Sequence, residues 1–190
     1  MTVIQGFTST DLEALPDLPG VRYEIIDGEL LVSRAPSFRH QYAVTVLVSA
    51  VYQWDAFSDL GFVVSAPGLV FTEDNDVIPD LVWVSRARLD EIEDDKGHLS
   101  AAPELVVEVL SPGRVNEIRD RELKLRLYGR QGVREYWIVD CDQQTVEVFR
   151  RGGDNLQHAA TLRDGDQLTS PLLAGFTCSV SSLWQTGRGR

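Results

Sequence analysis

The sequence predicts a mixed α/β fold, an α+β arrangement with a central sheet of mixed strand direction flanked by helices. Three observations carry that expectation. Short apolar, strand-like runs alternate with helical patterns along the whole chain. Asp27-Gly28 joins two strand-like segments near the N-terminus, which predicts a hairpin, because a tight two-residue turn favours positive φ at its centre. Residues 36–57 repeat apolar side chains at three- and four-residue steps, and a second helical run follows the strand-like ELVVEVL.

Residues 8–15, TSTDLEAL, read as a short helix. Thr10 and Glu13 have capping-box spacing, and Pro16 and Pro19-Gly20 end the segment. Residues 21–33, VRYEIIDGELLVS, are the N-terminal hairpin, with Glu24 on its first strand and Glu29 on its second. The long helix over 36–57 has Val44, Leu47, Val48, Val51 and Tyr52 on its apolar face, and His40 near its start. Its β-branched residues make propensity weak, so packing on a sheet has to hold it. Residues 62–71 form a strand interrupted at Pro67-Gly68, followed by the acidic turn TEDND. Residues 77–84, VIPDLVWV, are the next strand, with Asp80 inside it, and 85–99 carry a short helix and an exposed loop. Strand 104–110 contains Glu108. Helix 115–130 follows, with Ile118, Leu123, Leu127 and Tyr128 on its apolar face and Gly132 at its end. Strands at 135–140 and 144–150 pair across CDQQ, further short strands follow, and 181–184 form a last helical turn. The tail, 187–190, is expected to be disordered.

A length of 190 residues suits one domain spanning 1–190, with its core at about 8–184. No apolar run approaches the roughly 20 residues that span a bilayer. The N-terminus lacks the basic flank and apolar core of a signal peptide, so a cytoplasmic protein without a membrane partner is expected. Cys141 and Cys178 are far apart and lack ligand spacing, which predicts free thiols. The 18 basic and 29 acidic residues give a formal charge of -11, which argues against nucleic-acid binding by the whole surface. A local patch of Arg114, Arg119, Arg121, Lys124, Arg126, Arg130 and Arg134 remains in sequence. Dinucleotide, P-loop, nucleophile-elbow and HExxH motifs are all absent, and the three histidines are dispersed.

The chemistry left is that of carboxylates. Glu108 interrupts an apolar strand, and a buried glutamate needs a partner such as a metal or a lysine. Asp80 lies about one strand earlier. An Asp and a Glu on neighbouring strands suit a hard divalent cation, which takes oxygen ligands, keeps several waters and is held by one or two carboxylates. A lysine such as Lys124 can then stabilise developing negative charge or orient a water. Each residue also has a plainer reading. Asp80 can be a solvated strand end after Pro79, and Glu108 can face water if the sheet has one wet face. Lys124 can be a surface charge paired with Asp120, four residues earlier. Glu24 can face water, and His40 can cap or pack its helix.

The segments YEIIDGELLVS, a helix opening with His40-Gln41, IPDLVWVSRARL, APELVVEVLSP, RDRELKLRLYGRQGVREYWIVD and TVEVFR occur in that order. Together, over roughly 8–184, the chain resembles the Uma-type restriction-endonuclease family of the PD-(D/E)XK nuclease superfamily. The resemblance implies a restriction-endonuclease-like core. It equates Pro79-Asp80 with the superfamily's Pro-Asp and Glu108 with its second acid. In the simplest superfamily pattern a lysine follows that acid by two residues, where this chain has Leu110; the resemblance moves the role to Lys124 on the following helix. It makes Glu24 an additional carboxylate ligand and His40 an additional candidate of unassigned role. Magnesium (or manganese) held by Glu24, Asp80 and Glu108, and hydrolysis of phosphodiester bonds in DNA with Lys124 as a catalytic group, are what it implies. A homodimer would suit cleavage of both strands. Two alternatives stand beside this: a catalytically silent nuclease-fold protein with a binding or regulatory role, which the acidic surface favours, and a hydrolase of another phosphorylated substrate.

Overall fold

The computed structural model describes residues 6–56 and 58–185, and the tail expected at 187–190 lies outside them. Helix α1 spans Ser9–Glu13, β1 Val21–Ile26 and β2 Glu29–Arg34. The sequence TSTDLE contains the capping spacing twice, and α1 uses the first: Thr8 N and Oγ1 both donate to Asp11 Oδ2 at 2.8 Å, in place of the expected Thr10–Glu13 pair. The hairpin forms as expected, with Ile26 opposite Glu29 and with φ of 52° and 77° at Asp27 and Gly28. Helix α2, Phe38–Asp55, starts on Ser37, whose hydroxyl accepts from His40 N at 3.3 Å. Ala43, Val44, Leu47 and Val51 face the core. Tyr52 follows Val51 by one residue, a turn of about 100° around the helix, and is 67% exposed instead of joining the apolar face.

Two expected strands each divide in two. Residues 62–71 form β3, Gly61–Ser65, and β4, Leu69–Thr72; residues 77–84 form β5, Asn75–Val77, and β6, Leu81–Ser85. The halves belong to different sheets. Proline has no N–H to donate to a ladder, and Pro67 and Pro79 stand where the chain crosses between sheets. Asp80 therefore lies in a crossing and not inside a strand. Beyond β6 come α3, Arg86–Ile92, and β7, Leu105–Val109. Helix α4, Arg114–Ile118, runs into a π-helical turn, Arg119–Lys124, and then α5, Leu125–Gln131, closed by Gly132 at φ 101°. The chain continues through β8, Glu135–Asp140, β9, Thr145–Gly152, and β10, Asn155–Leu162. It ends with a small pair, β11, Gln167–Leu168, and β12, Cys178–Ser179, and a 3-10 turn, Val180–Leu183.

The larger sheet has six strands in the order β10-β9-β8-β7-β6-β3, and the smaller has four in the order β2-β1-β5-β4. Every pair in both is antiparallel except β7–β8. A parallel pair needs a crossover, and the α4–α5 segment supplies it. Strand β7 is buried on both faces. Leu105, Val107 and Val109 pack with α2 and the C-terminal segment. Val106 packs with Leu127, Tyr128, Tyr136 and the small sheet's Val77 and Leu69. Residues two apart on a strand share a face, so Glu108 joins the Val106 side, under α5 and the small sheet. The large sheet has no wet face at that point.

Candidate functional site

Antiparallel pairing sets Leu81 opposite Val107. One step further along the same register, Asp80 comes to lie beside Glu108. Glu24 arrives from β1 of the small sheet, and its Oε1 accepts from Ile78 N at 2.9 Å, at the crossing between sheets. His40 comes from the first turn of α2, and Lys124 from the end of the π turn. All five line one cavity of about 20 Å³, together with Arg22, Arg34 and Arg119. That is room for about one water-sized occupant. The structure thus brings together every residue singled out in the sequence, and the solvated readings of Asp80, Glu108, Glu24 and Lys124 do not hold: all are buried.

Lys124 Nζ lies 2.7 Å from Glu24 Oε1 and 2.9 Å from Glu108 Oε1. Tyr128, one helical turn on, donates from its hydroxyl to the same Glu108 oxygen at 2.8 Å. Asp80 Oδ2 accepts from Val109 N at 2.9 Å and lies 3.0 Å from His40 Nε2. A carboxylate can only accept, so Nε2 carries the proton of this hydrogen bond. His40 Nδ1 is buried and has no partner among the described residues. Among the described residues, Asp80 Oδ1 takes only a long contact, 3.4 Å, from Arg22 Nη1.

Two carboxylates a strand apart behave differently because their partners differ. Burial would raise Asp80, but the His40 hydrogen bond and charge, the Val109 N–H and Lys124 outweigh it and bring its pKa to about 2. Burial pushes Glu108 well above the usual carboxylate range; Lys124 opposes this, while Asp80, Asp120 and Glu24 add to it. Burial disfavours the charged form of Lys124, yet Glu108, Glu24 and Asp120 raise its pKa above the ordinary value and keep it an ammonium ion. The cavity therefore concentrates negative charge that one lysine partly neutralises.

Asp120 does not pair with Lys124. Within the π turn it is fully buried and bound by Arg119, Nε to Oδ1 at 2.7 Å and Nη2 to Oδ2 at 2.8 Å, while its carbonyl accepts from the Tyr136 hydroxyl at 3.0 Å. Part of the basic patch of the sequence is also engaged within the protein: Arg121 pairs with Asp140 and Glu147, and Arg130 with Asp27. Sequence reading missed Arg22, Arg119 and the Tyr128 hydroxyl. Arg22 carries a readable signal, since it stands two residues before Glu24 and shares its strand face. Tyr128 stands four after Lys124, on the same helix face. Arg119 has no such mark, because nothing in the sequence announces a π turn. Among the described residues, no group of three or more His, Cys, Asp and Glu side chains is arranged as a ready metal-ligand set. Both cysteines are free thiols, and no helix among the described residues is long and apolar enough to cross a membrane.

One solved structure shares this architecture. A putative nuclease belonging to DUF820 from Anabaena variabilis, known from its crystal structure, superposes with a TM-score of 0.74 at 19% identity, covering 94% of this chain and 97% of that one. The type IIG restriction endonuclease BpuSI gives a TM-score of 0.42 at 14% identity, over 80% of this chain and 16% of its own. No curated protein matches the chain. The fold is the restriction-endonuclease-like one, as the first of these structures shows. Residues 9–181 match the model of the Uma2 family, described as "Putative restriction endonuclease", and the chain belongs to that family.

Proposed function

We propose that this protein is a metal-dependent nuclease that hydrolyses phosphodiester bonds in DNA at the cavity between Asp80, Glu108 and Lys124. The observation that carries the reading is the convergence of those three buried side chains on a water-sized cavity in a chain of this family. The donor set suits magnesium or manganese. Asp80 Oδ1 is held only by the long Arg22 contact, and both contacts to Glu108 go to Oε1, leaving Oε2 without a partner among the described residues. Two carboxylates are enough, because such an ion keeps several waters. Burial raises Glu108 first and the neighbouring acids add to it, and a divalent cation would offset both by favouring the carboxylate. Asp80 and Glu108 would hold the ion, with Glu24 as a further oxygen donor. A bound ion of this kind polarises a phosphoryl oxygen and lowers the pKa of a water.

The chain's own residues do the rest. His40 and Val109 N–H fix the Asp80 carboxylate in orientation. Tyr128 and Lys124 fix Glu108. Lys124 keeps its proton and presents an ammonium at the cavity, where it can orient a water or meet negative charge developing on the phosphate. Purified protein with magnesium is expected to cut DNA, and Asp80→Ala and Lys124→Ala are each expected to abolish cutting. Equal cleavage by both variants and the wild type would sink the assignment.

One observation favours a second reading, that of a catalytically silent binding protein. Lys124 bridges Glu24 and Glu108 and so answers their charge from within the chain. Isothermal titration separates the two readings: magnesium uptake that Asp80→Ala abolishes supports the nuclease, and absence of uptake at millimolar magnesium supports the silent form.

A further inference from the structure

A second cavity, a groove of about 490 Å³, runs along the outer side of α2 and opens beside the carboxylates. Its walls include Gln41, Ser49 and Tyr52 of α2 on one side and Ser65, at the end of β3, on the other; Arg22 and Asp80 line both this groove and the small cavity. The groove therefore borders the small cavity at Arg22 and Asp80. We propose that the groove holds a single-stranded segment of DNA leading to the scissile phosphate, with Arg22 as its phosphate anchor and Tyr52 as a stacking surface for a base. This deepens the nuclease reading and rests on it.

Three observations support that occupant. The first is the state of the cations at the site. Lys124 is fixed between two glutamates, and Arg119 is held in a two-point grip by Asp120. Arg22 makes only two long contacts, both through Nη1, to Ile78 O at 3.3 Å and Asp80 Oδ1 at 3.4 Å. Its Nε and Nη2 have no partner among the described residues, and its side chain is 29% exposed. It is the cation placed to take a phosphate oxygen at the junction of the two cavities.

The second observation is the lining itself. Apart from Arg22 and Asp80 the groove wall is uncharged, and Tyr52 stands 67% exposed on it, its ring stacked on no other among the described residues. An exposed aromatic stacks on any base regardless of sequence, which is how proteins hold unpaired strands. The third is charge. The protein carries a formal -11. A duplex presents one phosphate charge per about 1.7 Å of axis, against about 3.4 Å for one strand. An acidic protein tolerates the sparser charge of a single strand better, and a flexible strand fits a groove of this size.

The test reads binding by fluorescence anisotropy with a short labelled oligothymidylate, alone or annealed to its complement, in EDTA so that nothing is cut. The single strand is expected to bind in preference to the duplex, and Tyr52→Ala and Arg22→Gln are each expected to weaken it about tenfold, the scale of losing one stacked base. Ser49→Trp, on the exposed face of α2, fills the groove and is expected to remove binding while leaving the melting temperature unchanged. Absence of single-strand binding, equal binding of the duplex, or binding that none of the three variants moves overturns the proposal. Restoring magnesium separates it from the nuclease reading. Tyr52-dependent binding without cleavage upholds the groove and removes the nuclease. Duplex cleavage that Ser49→Trp leaves at wild-type speed keeps the nuclease and overturns the groove.

Discussion

Lys124 has the most to answer for among the single residues, because both glutamates it touches are buried. Removing one member of a buried ion pair leaves the other charge without water or partner. Lys124→Met is expected to lower stability by about 3 kcal/mol at neutral pH. The loss should shrink as pH falls, since Glu108 is already displaced toward its neutral form. Urea unfolding at two pH values measures both effects, and a pH-independent loss would contradict the assigned contacts. Asp80 gives the opposite pH signature. Its folded pKa of about 2 lies below the ordinary 3.8, so its stabilisation is present above about pH 4 and is lost as pH falls toward 2. The difference of nearly two pK units corresponds to about 2 kcal/mol. The stability gap between wild type and Asp80→Asn, measured in EDTA, is expected to close by about that amount between pH 5 and pH 2.

At the scale of elements, the π turn decides the site. An α-helix turns about 100° per residue, and the one-residue surplus of a π turn lets Asp120 face Tyr136 and Arg119 while Lys124 faces the glutamates. Deleting the exposed Glu122 returns the segment to α spacing and swings Arg119 and Asp120 by about 100° relative to Lys124. Loss of cleavage and a fall of several degrees in melting temperature are expected, read by circular dichroism and a magnesium-dependent cleavage assay; an unchanged protein would show the π spacing to be dispensable. This is also where sequence reading reached its edge. The apolar face of 115–130 was legible as a helix because Leu123 and Leu127 repeat at helical spacing. The π turn was not, because it arises from the tertiary demand that Asp120 and Lys124 satisfy different partners. The hairpin was legible from Asp27-Gly28, whose φ angles leave few alternatives. The division of 62–71 and 77–84 between two sheets was written in Pro67 and Pro79, but which sheet each half joins depends on strands distant in sequence.

At the scale of the molecule, the site belongs to neither sheet alone. Glu24 comes from the small sheet, Asp80 from the crossing, Glu108 from the large sheet, Lys124 from the π turn and His40 from α2. The residue types were legible in the sequence, and the resemblance supplied their grouping. Their burial was not, because it depends on the small sheet and α5 covering one face of β7. A ligand that needs this assembly binds the folded chain and not the unfolded one. Magnesium at a hundred times its dissociation constant is therefore expected to add about 2.7 kcal/mol to stability. A melting temperature that rises with magnesium in the wild type, and stays fixed in Asp80→Ala, checks this without any substrate.

The hydrogen bond from Tyr128 to Glu108 has a consequence of a different kind. Tyr128 packs edge-on against Tyr136 at 5.2 Å between ring centroids, so two asymmetrically held phenols adjoin the acidic cluster. Burial comes first among the causes that raise both hydroxyls well above their usual pKa, and the negative charge of Glu108 adds to it. The protein thus carries an ultraviolet chromophore hydrogen-bonded to the side chains of the cavity. A change in charge at Glu108 alters the environment of the Tyr128 ring directly, which makes occupancy of the cavity visible as colour in the near ultraviolet, with no label attached.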